Sequence, residues 1–151
     1  MKQMANGSMN RTGALYASVR MSSDQSITLA AGGTQTIAFD TIVTGNGFTI
    51  SNNRVIIPNG VHHVRISANI YMQTGYTNTS FSINVGVANS YVARVVRKFA
   101  NNYETWAIPS IVVPCTAGNG IYINVISSSA IGPFVVAADS NTTYLSVEAI
   151  D

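Results

Sequence analysis

A chain of 151 residues is long enough for one domain with a single hydrophobic core. Charged residues make up only 9% of it, whereas an average soluble domain has about 25%. The net charge of +2 comes from scattered residues, which excludes a phosphate-tracking groove, and no apolar run is long enough to span a bilayer. We therefore expect neither a nucleic-acid nor a membrane partner, and a surface of Ser, Thr and Asn that is hidden in an assembly.

The chain opens on a polar segment, residues 1–12, without the period of a strand or a helix. The segment is either a disordered terminus or an arm held by a partner, and we predict an extended N-terminal arm followed by one domain over 13–151. No apolar run follows Lys2, which is typical of a protein made without a signal peptide. The sequence therefore predicts a protein produced inside a cell.

Alternation of apolar and polar residues begins directly after the arm. In the first predicted strand Ala17 and Val19 share one face, and Tyr16 and Arg20 share the other. Further short runs follow, separated by turns rich in Gly and Asn. No window shows a helical period with caps, so the sequence predicts an all-β fold of about ten antiparallel strands in two sheets.

The clearest alternation follows the turn at Pro58-Asn59-Gly60. One face of this predicted strand carries His62, Val64, Ile66, Ala68, Ile70 and Met72, and the other carries His63, Arg65, Ser67, Asn69 and Tyr71. A strand this long and this regular is expected to lie centrally in a sheet.

No motif for chemistry is present. The sequence lacks a G-x-S-x-G elbow, a phosphate-binding loop and a dinucleotide fingerprint, and its six carboxylates are spread out, so we predict no enzyme activity and no cofactor.

His62 and His63 are adjacent on a strand and point to opposite faces, which argues against a metal site. Cys115 is expected to be a buried thiol. Trp106 has two interpretations, a buried anchor in the core or subunit interface, or a ligand-stacking surface residue.

Several weak motifs occur in an order that resembles a known family. They are residues 14–20, Phe39-Asp40, Gly45-Asn46-Gly47, Pro58-Asn59-Gly60 before His62, Val64 and Ile66, the 117–120 turn before Ile121, and residues 143–147. This order is similar to the globular heads of the complement first-component and short-chain collagen family, which share the tumour-necrosis-factor jelly roll. The chain departs from that family in placing His62, Val64 and Ile66 at aromatic positions and in lacking a collagen repeat. These departures make it more similar to the jelly-roll modules of bacteriophage virions, such as head decoration proteins and fibre tips.

The resemblance implies a homotrimer in which the outer face of one sheet packs around a threefold axis. The candidate contact residues are Tyr16, Arg20, Arg65, Asn69, Tyr71, Tyr144 and Glu148. The alternative is that these are solvent-facing strand residues. We also expect an ion pair between subunits that joins Glu148 to Arg20 or Arg65.

The function that follows is a non-enzymatic virion structural protein: a homotrimer that decorates or cements a capsid, assembled in the host cytoplasm and located on the virion surface. Its expected partners are itself and the major capsid protein or another virion protein. The candidate capsid contacts in the arm are Lys2, Met4, Met9 and Arg11. The alternative is a receptor-binding head-fibre or tail-fibre tip that recognises a host glycan or protein, for which Trp106 is the candidate ligand surface. A signalling ligand is a third, remoter class.

Overall fold

A computed structural model describes residues 14–73, 80–98, 103–139 and 141–150. These residues form thirteen strands: β1 (Tyr16–Arg20), β2 (Gln25–Leu29), β3 (Thr34–Thr36), β4 (Thr41–Asn46), β5 (Thr49–Ser51), β6 (Arg54–Ile56), β7 (His63–Gln73), β8 (Ser80–Val87), β9 (Ser90–Lys98), β10 (Tyr103–Pro114), β11 (Gly120–Ile126), β12 (Ile131–Val136) and β13 (Tyr144–Ala149). Within the described ranges, no helix is long and apolar enough to cross a membrane.

The strands form two antiparallel sheets. The large sheet has the order β2-β12-β7-β13-β1-β4. In it β12 and β13 pair with successive parts of one edge of β7, and β10 pairs with the opposite edge. The small sheet has the order β5-β6-β11-β8-β9, with β3 also paired to β11. The prediction of an all-β fold with two antiparallel sheets is confirmed. The structure has more than the ten strands expected because three of them, β3, β5 and β6, are only three residues long.

The turn at Pro58-Asn59-Gly60 carries the chain from one sheet to the other. It follows β6 of the small sheet and leads into β7, which pairs with β10 along one edge and with β13 and β12 along the other. Gly60 has φ of 77°, a conformation that glycine adopts without the penalty of a Cβ. The predicted central position of β7 is confirmed.

The start of β7 differs from the prediction. His62, expected on the core face, is exposed and precedes the strand, and Val61 fills the buried position instead. The His62 carbonyl accepts a hydrogen bond from the Cys115 N–H at 2.8 Å, next to the last β7–β10 pair, His63 with Pro114. Cys115, predicted to be buried, is half-buried and packs against the core with its sulfur 3.9 Å from the Val61 carbonyl.

The core lies between the inner faces of the two sheets. Ile66, Ile70 and Met72 of β7 face it from the large sheet, and Ile83 and Ile123 face it from the small sheet, all of them fully buried. Burying a side chain of this kind stabilises the fold by about 1.5–3 kcal/mol. The core therefore fixes which face of each strand is left for interactions with other molecules.

Asp40 holds the loop before β4 against the end of β1. Its carboxylate accepts hydrogen bonds from the main-chain N–H of Ser22 at 2.8 Å, from the Ser22 hydroxyl, and from the Thr41 hydroxyl at 3.0 Å. Burial raises the pKa of Asp40, but these hydrogen bonds outweigh that effect and hold the pKa below its ordinary value of 3.8. The carboxylate therefore stabilises the fold in its charged form.

Replacing Asp40 by asparagine is expected to lower the free energy of unfolding at pH 7. The difference in this free energy between wild type and variant is expected to become smaller in acid. The folded-state pKa is the lower one, so the stabilisation is present above the ordinary pKa and is lost as the pH falls through the folded-state pKa. Urea unfolding of both proteins at neutral pH and below about pH 3 measures this. Ser22→Ala, which removes a donor but keeps the carboxylate, should weaken the same pH dependence, and an equal deficit at both pH values would contradict the assignment.

Candidate interaction surfaces

The seven residues predicted for subunit contact lie on one face of the large sheet. They alternate with the buried residues of three adjacent strands, β1, β13 and β7, and so point away from the core. The register places Tyr16 opposite Glu148, and Glu148 opposite Arg65. Tyr144 lies opposite Asn69 in a parallel row nearer the other end of the sheet. The structure therefore brings together residues that are up to 132 positions apart in the chain.

The ion pair of this face forms within one chain. Arg65 Nη1 lies 2.9 Å from Glu148 Oε2, and the two side chains are about half exposed. Arg20 instead covers the Tyr144 ring at 5.1 Å from its centroid and donates to the Thr143 carbonyl at 3.5 Å. Glu148 therefore already has a partner within its own chain, because the β7–β13 register sets Arg65 beside it, and an ion pair between subunits stays a prediction.

Small side chains separate the two rows. Ser18, Ser146 and Ser67 lie opposite one another across β1, β13 and β7, and all three are half-buried. The outer face of the large sheet is thus a shallow trough of serines between one row that holds Tyr16, Glu148 and Arg65 and another that holds Tyr144 and Asn69.

An exposed aromatic residue that the sequence analysis did not single out extends this face. Tyr103 of β10 is 63% exposed and stacks on Tyr71, with ring centroids 6.5 Å apart and an interplanar angle of 17°. Val112, also on β10, is 53% exposed and lies opposite Arg65 of β7. Both follow from the β10–β7 pairing, which the alternation pattern of β10 alone does not reveal.

Trp106 is not a ligand surface. It is fully buried on the inner face of β10, where its ring stacks on Phe81 with centroids 4.4 Å apart. Its indole N–H donates to Glu104 Oε2 at 2.7 Å, and the Arg97 guanidinium lies 5.9 Å from the ring centroid. Of the two interpretations, the buried anchor is correct, because β10 pairs with β7 in the register that turns Trp106 toward the core.

A polar network covers the outer face of the small sheet. Asn84 of β8 and Asn124 of β11 lie opposite each other and are buried although they point away from the core. The Arg94 Nε donates to Asn84 Oδ1 at 2.8 Å. Asn124 donates from Nδ2 to the Tyr91 hydroxyl oxygen at 3.0 Å, and its Oδ1 accepts from the Thr36 hydroxyl at 2.8 Å. These side chains form a fixed layer rather than a loose solvated surface.

The aromatic part of the layer depends on a glycine. Tyr122 lies flat over Gly86, which is opposite it on β8, and a Cβ at that position would overlap the ring. The Arg54 guanidinium lies over the Tyr122 ring at 4.4 Å from its centroid, and Tyr91 meets the edge of that ring with centroids 6.3 Å apart. Tyr122 is therefore only 6% exposed on an outer face.

Next to this layer lies a cleft of about 280 Å³, here called the Arg94 cleft. Its walls come from the outer faces of β8 and β9 and from the end of β11 with the loop that follows. The lining residues include Ser80, Ser82, Arg94, Val96, Ile126 and Ser128.

Charge is unevenly divided between the sheets. The strands of the small sheet carry the basic residues Arg54, Arg94, Arg97 and Lys98 and no acidic residue, counting only described residues. The strands of the large sheet carry two arginines, Arg20 and Arg65, balanced by Glu104 and Glu148. The small sheet is thus the basic side of the molecule.

Among the described residues, no group of three or more His, Cys, Asp or Glu side chains could hold a metal ion. The predicted capsid contacts Lys2, Met4, Met9 and Arg11 lie outside the described residues, as does the predicted domain boundary at residue 13.

Solved structures similar to this chain include cytokines and a phage vertex protein. Murine APRIL superposes with a TM-score of 0.69 at 10% identity, over 91% of this chain and 100% of that one. The Eiger TNF from S. frugiperda reaches 0.66 at 7% identity, over 91% and 93%. The fold is the tumour-necrosis-factor jelly roll. The same jelly roll is similar to the vertex protein P5 of PRD1, with a TM-score of 0.61 at 13% identity, over 91% of this chain and 96% of that one.

No protein-family model and no curated protein sequence matches the chain. The predicted resemblance is therefore confirmed at the level of the fold, which by itself does not fix function.

Proposed function

We propose that this chain forms a homotrimer and acts as a non-enzymatic structural protein on the surface of a virion. The observation that carries the proposal is the similarity to the vertex protein P5 of PRD1, because it covers nearly the whole length of both chains. A vertex protein is a component of a virion shell, and we extend that role to this chain. The low content of charged residues, 9%, agrees with a surface that is partly hidden in an assembly.

The outer face of the large sheet suits self-association. Two of its charged residues, Arg65 and Glu148, are already paired within one chain, so a second subunit can cover this pair without leaving either charge unpaired. The third, Arg20, lies over the Tyr144 ring and donates to the Thr143 carbonyl. Tyr16, 44% exposed, and Tyr103 supply aromatic contact area of the kind enriched in interfaces. The serine trough between the two rows leaves room for side chains of the neighbouring subunit.

Placing an arginine in the middle of the trough is expected to break the trimer. Size-exclusion chromatography with light scattering at micromolar concentration should give the wild type a molar mass three times the 16.0 kDa of one chain. Ser146→Arg should elute as a single chain, because a bulky unpaired charge would be buried against a second subunit, at a cost of several kcal/mol. The matched control is Thr49→Arg, which adds the same side chain at an exposed position of β5 and should stay trimeric. A trimeric Ser146→Arg protein, or a monomeric wild type, would contradict the proposed interface.

Within this role, cementing of the shell is the finer proposal. A trimer that bridges neighbouring capsomers adds contacts that must all be lost before the shell opens, so its three weak sites act together. Purified protein should bind emptied capsids and delay their thermal rupture, and removal of residues 1–12 should abolish the effect if the predicted arm makes the contact. Binding that persists without the arm would assign the contact to the jelly roll instead.

A receptor-binding module is the second candidate, and the basic small sheet with the Arg94 cleft favours it. In that case labelled trimer should bind host cells, and it should not raise the rupture temperature of capsids. The two measurements on one preparation separate the two functions.

A further inference from the structure

We propose that the Arg94 cleft binds an acidic saccharide and that Arg94 holds its carboxylate. The cleft belongs to the outer face of the small sheet, away from the face assigned to self-association. The inference therefore does not depend on the trimer or on a role in a virion.

The arginine of this cleft is held in place before any ligand arrives. Its Nε donates to Asn84 Oδ1 at 2.8 Å, and the amide nitrogen of Asn84 donates to the Ser82 hydroxyl at 2.8 Å. Asn84 is fully buried, so it fixes the position of the Arg94 side chain. A planar guanidinium that is fixed at Nε presents its terminal nitrogens as a fork, which matches a carboxylate in a bidentate contact.

The surroundings select an anion. None of the residues that line the cleft is acidic, and no strand of the small sheet carries Asp or Glu within the described residues. Lys98 lies opposite Ser80 at the end of the β8–β9 pair and adds a second positive charge at that end. A concave surface lined by positive charges raises the local concentration of negatively charged ligands.

The remaining wall suits a sugar ring better than a peptide. The lining includes the hydroxyl residues Ser80 and Ser128 and the apolar residues Val96, which is 58% exposed, and Ile126. A saccharide presents the same mixture of hydroxyl edges and apolar C–H faces. An extended acidic peptide would instead be expected along the outer edge of β9, which is the last strand of the small sheet within the described residues. The volume of about 280 Å³ lies near the lower end for ligand sites, so one or two residues of a longer saccharide would lie within the cleft.

Calorimetric titration with trigalacturonate, and with the neutral trisaccharide galactotriose as a control, tests the proposal on the full chain. The wild type should bind the acidic trisaccharide and not the neutral one. Arg94→Gln should lower the affinity more than about tenfold, since a lost charge-assisted hydrogen bond costs about 1.5–3 kcal/mol, and Arg94→Lys should restore only part of it. Arg54→Gln is the matched control because it removes the same charge from the same sheet face outside the cleft, and it should change the affinity less than about twofold.

A second variant leaves the buried network untouched. Val96→Glu places a negative charge on the exposed wall of the cleft and should abolish binding while the thermal midpoint stays that of the wild type. Equal losses for Arg94→Gln and Arg54→Gln would overturn the proposal in favour of diffuse charge attraction. Inorganic sulfate or polyglutamate binding as tightly as trigalacturonate would overturn the choice of a saccharide, and a wild type that binds none of these probes would overturn the site itself.

Discussion

Trp106→Ala is expected to lower the free energy of unfolding by about 3–5 kcal/mol, the range for removing a large buried aromatic side chain. The ring is fully buried and stacked on Phe81, so its loss leaves a cavity between the sheets. It also leaves Glu104 without the indole N–H that donates to it at 2.7 Å. Because small domains are stable by only about 5–15 kcal/mol, this single change should remove a large part of the total.

Denaturant unfolding at a fixed protein concentration measures the effect, since self-association makes stability depend on concentration. Val96→Ala is the control, because Val96 lies on β9, outside the proposed subunit interface. Its side chain is 58% exposed, and its truncation should cost less than about 1 kcal/mol. Equal costs for the two substitutions would mean that Trp106 is not an anchor of the core.

Gly86→Ala is expected to cost about 1–3 kcal/mol, the usual range for forcing extra atoms into a packed site. The Cβ would overlap the Tyr122 ring, which is only 6% exposed and is also in contact with Arg54 and Tyr91, so it cannot move away easily. Gly86 does not have a positive φ, so the cost comes from the ring and not from the backbone.

A double-mutant cycle isolates that contact. In a Tyr122→Ala background the same Gly86→Ala substitution should be neutral or slightly stabilising, because alanine loses less conformational entropy than glycine on folding. The coupling between the two sites is the difference between the two Gly86→Ala values. A cost that is unchanged by the removal of Tyr122 would show that the ring does not require the glycine.

The sequence predicted the parts of the fold that depend on one strand at a time. The alternation of Ala17 and Val19, and of Val64, Ile66 and Ile70, identifies the core faces of β1 and β7 because side chains on a strand point to opposite sides in turn. The same alternation cannot say which strands are neighbours. The contacts of Arg65 with Glu148 and of Tyr71 with Tyr103 depend on that information.

The small sheet shows the other limit of sequence reasoning. Asn84 and Asn124 alternate with core residues, and alone they would be expected to face solvent. They are buried because the register brings Arg94, Tyr91 and Thr36 over them from neighbouring strands. The Arg94 cleft follows from this arrangement, and no motif in the sequence points to it.

The position of β13 in the large sheet determines when the domain can be completed during synthesis. β13 lies between β7 and β1, so the strand nearest the N-terminus in the described chain joins β7 only through the strand nearest the C-terminus. Until β13 leaves the ribosome, the edges of β1 and β7 that it will occupy are open to pairing with other chains. Folding dominated by such distant pairings is slow. We therefore expect the domain to complete its large sheet only once β13 has been synthesised and, before then, to aggregate more readily than its polar composition suggests.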